Sequence, residues 1–181
     1  MALGLAMWTA SCGRGGEEAS QAPGVQQPAA PASSAEMAPT IGDVTPSSGT
    51  GRSAVFQLSV THPGGASMVK DVQLLINDVL PGAGQTACWV DINGGKTVAA
   101  KNEDGSRFFP SVAIGSAKSV SNSKCTVSAA GIKVEPSGNE VKVTVPVTFA
   151  ASFKGPKKIW VIASSPSKHS GWQQRGAWLV D

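Results

Sequence analysis

The chain has 181 residues, enough for one domain with extensions, and its 21 Gly, 12 Pro and 15% charged residues suit many turns and short strands rather than helices. The formal net charge is only +3. All but one of the 15 Lys+Arg but only nine of the 12 Asp+Glu lie from Thr40 onward, so that part carries +5, too diffuse for the clustered stripe of a nucleic-acid footprint.

The amino end, MALGLAMWTA, is apolar but far shorter than the roughly 20 residues that span a bilayer. Small residues, Thr9-Ala10-Ser11, then lead into Cys12. This resembles the end of a bacterial lipoprotein signal peptide, and the resemblance implies that residues 1–11 are a leader and Cys12 is lipidated. Residues 13–39 are rich in Gly, Ala, Ser, Gln and Pro and offer almost no large apolar side chain. Such a stretch cannot bury enough surface to offset the entropy of ordering it. The expected layout is a leader (1–11), a disordered tether (12–39) and a folded domain (40–181). The expected location is export, as a membrane-anchored lipoprotein at the cell surface or in the periplasm, touching membrane only through the lipid.

Within the folded part, residues 41–50 read as a short edge strand ending at Pro46 and a Ser-Ser-Gly turn. Residues 54–61 alternate cleanly, with Phe56, Leu58 and Val60 inward. Residues 69–78 place Val72, Leu74 and Ile76 on one face. Segments 86–92 and 97–101 form a hairpin about Asn93-Gly94-Gly95, residues that tolerate the positive φ of tight turns. Phe108 to Lys124 reads as loop with short strand pieces. Another strand opens at Cys125-Thr126-Val127.

Residues 139–153, NEVKVTVPVTFAASF, then carry Val141, Val143, Val145, Val147 and Phe149 on one parity. Alternation of period two sends one set to a buried face and the other outward, and no helical stripe fits it. This is expected to be the long inner strand, with the rest of the sandwich covering its valines. Residues 157–164 put Ile159, Val161 and Ala163 inward with Trp160 and Ile162 on the other parity. Residues 165–175 read as loop and 176–180 as the last strand. Eight or so short strands at regular spacing indicate an all-β fold, an immunoglobulin-like antiparallel β-sandwich of about seven to nine strands.

With Cys12 assigned to lipid, Cys88 and Cys125 remain as an even pair in an exported domain, and a disulfide is the simplest account. Closing that loop would stabilise the fold by roughly 3 to 4 kcal/mol. Neither cysteine belongs to a CxxC pair, and a zinc site would have only His62 and His169 to add.

The succession VTPSSGTG, VQLLIN, ACWVDINGG, NSKC, GNEVKVTVPVTFAASFKG and SGWQQRGAWLV resembles a bacterial extracellular immunoglobulin-like module over Thr40 to Asp181. The cysteine pair with the SGWQ segment is its most specific mark. The resemblance implies a disulfide-bonded sandwich used as a building block, with no catalytic residues.

Trp89, Trp160, Trp172 and Trp178 are the candidates for ligand contact, since aromatic faces suit stacking on sugars. Packing in the core or beneath loops is the commoner use of such residues. Trp89 and Trp160 lie off the inner parity of their strands. Trp172 stands in a loop, where binding residues concentrate. Asp91, Asn93 and Asp104 invite a calcium reading, but the EF-hand pattern fails because position twelve from Asp91 is Asn102 rather than Glu. His62 and His169 sit in turns without a surrounding motif. The expectation is therefore no enzyme, no cofactor and no metal. The function expected is a cell-envelope structural or adhesive module that binds a protein or matrix polymer. The alternative is a carbohydrate-binding module using Trp89, Trp160 or Trp172. Two exposed coplanar indoles would favour the sugar, and burial of all of them the structural role.

Overall fold

The valine-rich stretch forms β11, Glu140–Phe149, with Val141, Val143, Val145, Val147 and Phe149 all buried. The structure is a computed structural model and describes residues 37–82 and 84–181. Cys12, the leader and nearly all of the tether lie outside the described residues.

Among the described residues thirteen strands form two sheets, and no helix is long and apolar enough to cross a membrane. The first sheet holds β1 (Thr40–Thr45), β3 (Ser53–Thr61), β8 (Ser119–Ser121), β9 (Cys125–Ser128), β10 (Lys133–Ser137) and β11. Its order is β1-β3-β11-β9-β8, with β10 also paired to β11. The second sheet runs β2 (Ser48–Thr50), β13 (Gln173–Val180), β12 (Gly155–Ser164), β4 (Asp71–Asn77), β5 (Cys88–Asn93), β6 (Thr97–Ala100) and β7 (Val112–Ala113). Every pairing is antiparallel except β2 with β13.

Register follows the buried parity. On β11 and β3, Val141 faces Val60, Val143 faces Leu58 and Val145 faces Phe56. In the second sheet Ile159, Ile76 and Cys88 form one cross-strand row, and Val161, Leu74 and Val90 the next. These inner faces merge into one apolar core. A slip of one residue would turn every one of these side chains to the other face, so burial fixes the pairing. The expected disulfide is present: Cys88 of β5 and Cys125 of β9 join the two sheets, with Cα atoms 5.3 Å apart.

Three local expectations need correction. The segment 41–50 is two strands rather than one, since β1 pairs with β3 while β2 crosses to β13 in the other sheet. The last strand starts at Gln173 rather than Gly176. Its Gln-Gln-Arg opening looks like loop, but backbone pairing of Gln173 with Val161 and Gln174 with Trp160 extends the strand past a register shift. The third is β10, which the sequence reading passed over on the way from Gly131 to the long strand.

His62 is fully buried and ties Met37, the first described residue, to the end of β3. Its Nδ1 accepts the Gly64 N–H at 3.0 Å, so Nε2 carries the proton and donates to the Met37 carbonyl at 2.8 Å. The Ser165 hydroxyl donates to the same carbonyl at 3.2 Å.

Candidate functional site

The outer face of the second sheet carries the site, and strand register assembles it. Trp160 on β12 pairs with Leu75 on β4, and Leu75 pairs with Trp89 on β5. The Lys101 N–H donates to the Trp89 carbonyl at 2.8 Å, and Lys101 bridges to Phe108. Side chains of one parity share a face, so Trp160, Leu75, Trp89 and Lys101 form a transverse row. The adjacent row is Ile162, Gln73, Asp91 and Ala99.

Trp89 is the hub. Its ring meets Trp172 at 5.4 Å and 79°, and Phe108 at 5.9 Å and 85°, both edge-to-face. Such geometry sets the positive edge of one ring against the negative face of another. The Lys101 ammonium lies 4.4 Å from the Trp89 centroid and 4.3 Å from that of Phe108. An ammonium over two ring faces is held there electrostatically. The indole N–H of Trp89 donates to Gln73 Oε1 at 2.9 Å, which locks the ring's orientation. The result is a corner of three half-buried rings capped by one cation.

Asp91 stands two residues along β5 from Trp89 on the same face, and its Oδ1 is buried without a hydrogen-bond partner. Burial, then the negative charge of Asp71, pushes its carboxyl up from 3.8 to about 6, and the Gln73 amide and Lys101 pull it partway back. Asp71 is otherwise engaged, accepting from Gln73 Nε2 at 3.4 Å and from the Ser164 hydroxyl at 3.3 Å.

Asn122 braces the site from behind with four hydrogen bonds. Its Nδ2 donates to the carbonyls of Ala87 (2.8 Å) and Lys101 (2.9 Å), and its Oδ1 accepts from the N–H groups of Lys124 (2.9 Å) and Cys125 (3.2 Å). One side chain thus ties both cysteine-bearing strands to the strand that presents Lys101.

Of the sequence candidates, Trp89 and Trp172 come together, and Trp160 shares their face with Leu75 between it and Trp89. Trp178 does not belong. It is 7% exposed, packs edge-on to Phe56 at 5.5 Å and donates its indole N–H to the Gly51 carbonyl at 2.8 Å. The discriminating geometry takes neither anticipated form: Trp89, Trp160 and Trp172 are half-buried, and Trp89 and Trp172 are nearly perpendicular. Lys101, Phe108 and Gln73 were missed, and Asp91 was weighed only for calcium. Pairing the outer parities of neighbouring strands points to Gln73, Asp91 and Lys101, whereas Phe108 lies outside the strands and carries no such signal. Asn93 and Asp104 take no part in the corner, for Asn93 ends β5 and the exposed Asp104 caps the Ser106 N–H. His62 is buried at the end of β3, whereas His169 is exposed, its Nδ1 accepting the Gly171 N–H at 3.1 Å.

No protein-family model matches the chain, and no curated protein does. A solved structure described as "AvmM Catalyzes Macrocyclization in Alchivemycin A Biosynthesis" is similar at 13% identity and a TM-score of 0.34, covering 81% of this chain and 89% of that one. The protein so described is an enzyme, which runs against the expectation that this chain is none, and that expectation is withdrawn. At this TM-score the likeness assigns no reaction and no residue to the chain.

Proposed function

We propose that the chain is an exported cell-envelope interaction module, with an immunoglobulin-like sandwich that presents the Trp89–Phe108–Trp172 corner to a protein or matrix polymer. The single observation that carries this reading is the corner itself: three aromatic rings and a lysine held on an outer sheet face instead of in the core. Tryptophan, presented rigidly and partly exposed, is the residue most often found to dominate binding energy at protein contacts. The Trp172 and Phe108 rings stand at 79° and 85° to that of Trp89, an arrangement that forms no flat stacking platform.

Export is supported by the inter-sheet disulfide, since such bonds form and persist in oxidising compartments. Lipid anchoring at Cys12, at the cell surface or in the periplasm, rests on the sequence around that residue. The lipid would be the chain's contact with membrane.

A second reading, a carbohydrate-binding module, is favoured by the partial exposure of Trp89, Trp160 and Trp172, each of which keeps ring surface within reach of a sugar. One experiment separates the two. The full chain is titrated against immobilised envelope proteins and against an array of neutral polysaccharides. Trp89→Ala and Trp172→Ala are compared with Val55→Ala, a 58%-exposed residue on β3 of the other sheet. Loss of protein binding by about 2 kcal/mol, roughly thirty-fold, in the tryptophan variants alone supports the lead. Saturable neutral-glycan binding with the same dependence selects the second reading. Equal behaviour of all three variants refutes the site.

A further inference from the structure

The two sheets part at the end of the sandwich where β4 finishes, and the mouth between them is basic. Its cavity, of about 450 Å³, is lined by Asn77, Asp78, Gln85, Thr86 and Lys157 from the second sheet and its loops, by Lys124 before β9 of the first sheet, and by Phe153 and Lys154 in the turn that joins the two. The lysines come from three segments: Lys124 immediately precedes β9, Lys154 lies in the β11–β12 turn, and Lys157 stands on β12. Lys157 shares the inner parity of Ile159 and Val161, so it points where the core would continue if the sheets did not separate.

The rigid centre is Phe153, 5% exposed and tilted against Phe149 at 6.1 Å. Over its ring lie the ammonium groups of Lys157, 4.4 Å from the centroid, and Lys124, at 6.0 Å. The ring therefore gathers two like charges that would otherwise separate. Neither is neutralised. Among the described residues the ion pair is Lys142 with Glu140 at 4.0 Å, on the first sheet. Asp78 is the mouth's carboxylate, and its Oδ1 is occupied by the Val79 N–H at 3.1 Å. Three lysines against one aspartate leave a local excess of positive charge in a concave site, where field lines concentrate. The Ser152 hydroxyl, also lining the mouth, makes no hydrogen bond among the described residues, and Gln85 accepts the Gly82 N–H with its carbonyl, which leaves its NH₂ group to donate.

We propose that this mouth is an anion-binding site for the sulfate or carboxylate groups of an acidic polysaccharide. Lysine ammonium groups are compact charges that donate to oxyanions from many directions without imposing the fixed fork of arginine, which the mouth lacks. Single-stranded nucleic acid would need a free ring on which to stack bases, and Phe153 is buried beneath the lysines. Ser152 and Gln85 supply the neutral polar contacts that sugar hydroxyls require. The site is independent of the aromatic corner, and its failure would leave the corner's role untouched.

The test titrates the full chain, at about 50 mM salt so that screening is modest, with heparin, alginate, dextran and a DNA duplex. Heparin or alginate should bind, dextran should not, and binding should weaken as salt rises. The triple variant Lys124→Gln/Lys154→Gln/Lys157→Gln should lose at least about tenfold in affinity, against less than about twofold for Lys96→Gln/Lys133→Gln/Lys142→Gln, which removes the same charge elsewhere. Lys154 and the three control lysines are exposed, whereas Lys124 and Lys157 are half-buried over the Phe153 ring, so matched thermal melts verify that neither triple opens the core. Equal losses in the two triples would reduce the effect to overall charge and overturn the proposal. So would absence of binding to both acidic polymers, or duplex DNA binding as tightly with the same dependence on the three lysines.

Discussion

Replacing Asp91 by asparagine removes a carboxylate that the fold disfavours in its charged form. Burial and the neighbouring Asp71 charge raise its value from 3.8 to about 6, and its Oδ1 has no partner. Because the folded state holds the proton more tightly than the unfolded chain, stability contributed by this group is greatest below pH 3.8 and is lost as pH rises through about 6. The full difference would correspond to about 3 kcal/mol, but Asp91 is only half-buried, and solvent screening reduces the expected penalty to about 1 kcal/mol at neutral pH. Asp91→Asn should therefore melt about 3 °C above the parent at pH 7.5 and converge with it near pH 4. Thermal melts of both chains at intervals from pH 4 to 8 measure this. Trp89 fluorescence should report the same transition in the parent, with a midpoint near 6 that is absent from the variant. A melting difference that stays constant across the range, or that favours the parent at pH 7.5, would refute the electrostatic account.

Two further perturbations probe the frame that holds the site. Cys88→Ala/Cys125→Ala opens a loop of sequence separation 37, for which the chain-entropy relation gives about 4 kcal/mol, so calorimetry should find melting lowered by roughly 12 °C; a shift below about 3 °C would contradict it. Asn122→Ala strands two carbonyls and two N–H groups at a braced corner and should cost about 2 to 3 kcal/mol in denaturant melts, while hydrogen exchange at the Lys124 and Cys125 amides accelerates; unchanged exchange would mean that the brace is redundant.

The inner faces were legible in the sequence because burial on one side imposes a local signal. The alternations of Phe56-Leu58-Val60, Val72-Leu74-Ile76 and Val141 to Phe149 each survive intact in the core. The Cys88–Cys125 bond was legible for a different reason: once Cys12 is assigned elsewhere, two cysteines leave no choice of partner. Strands held mainly by backbone pairing were not legible. Gln173-Gln174-Arg175 opens β13 with polar residues, and Ser48–Thr50 forms β2 with no buried residue. Nothing in their composition marks them.

The outer face escaped for a related reason, and it is the more instructive case. Leu75 is fully buried on the side opposite Leu74 and Ile76, so β4 has apolar character on both faces and the alternation there loses its meaning. Trp160 and Trp89 were recognised as outward-facing, but only register makes them members of one row with Leu75 between. Lys101, expected at the end of a strand, joins Phe108, expected in a loop, through a bridge beyond the end of β6. A binding face on a sheet is built across strands, at right angles to the chain. Lys101, Phe108 and Trp172 lie 4 to 6 Å from the Trp89 ring in space while standing 12, 19 and 83 residues from it in sequence. The period-two reading therefore locates such a face one strand at a time. The register sets Lys101 beside Trp89, and the loop before β13 then brings Trp172 against the Trp89 ring, so three residues that look isolated along the chain meet in one cluster.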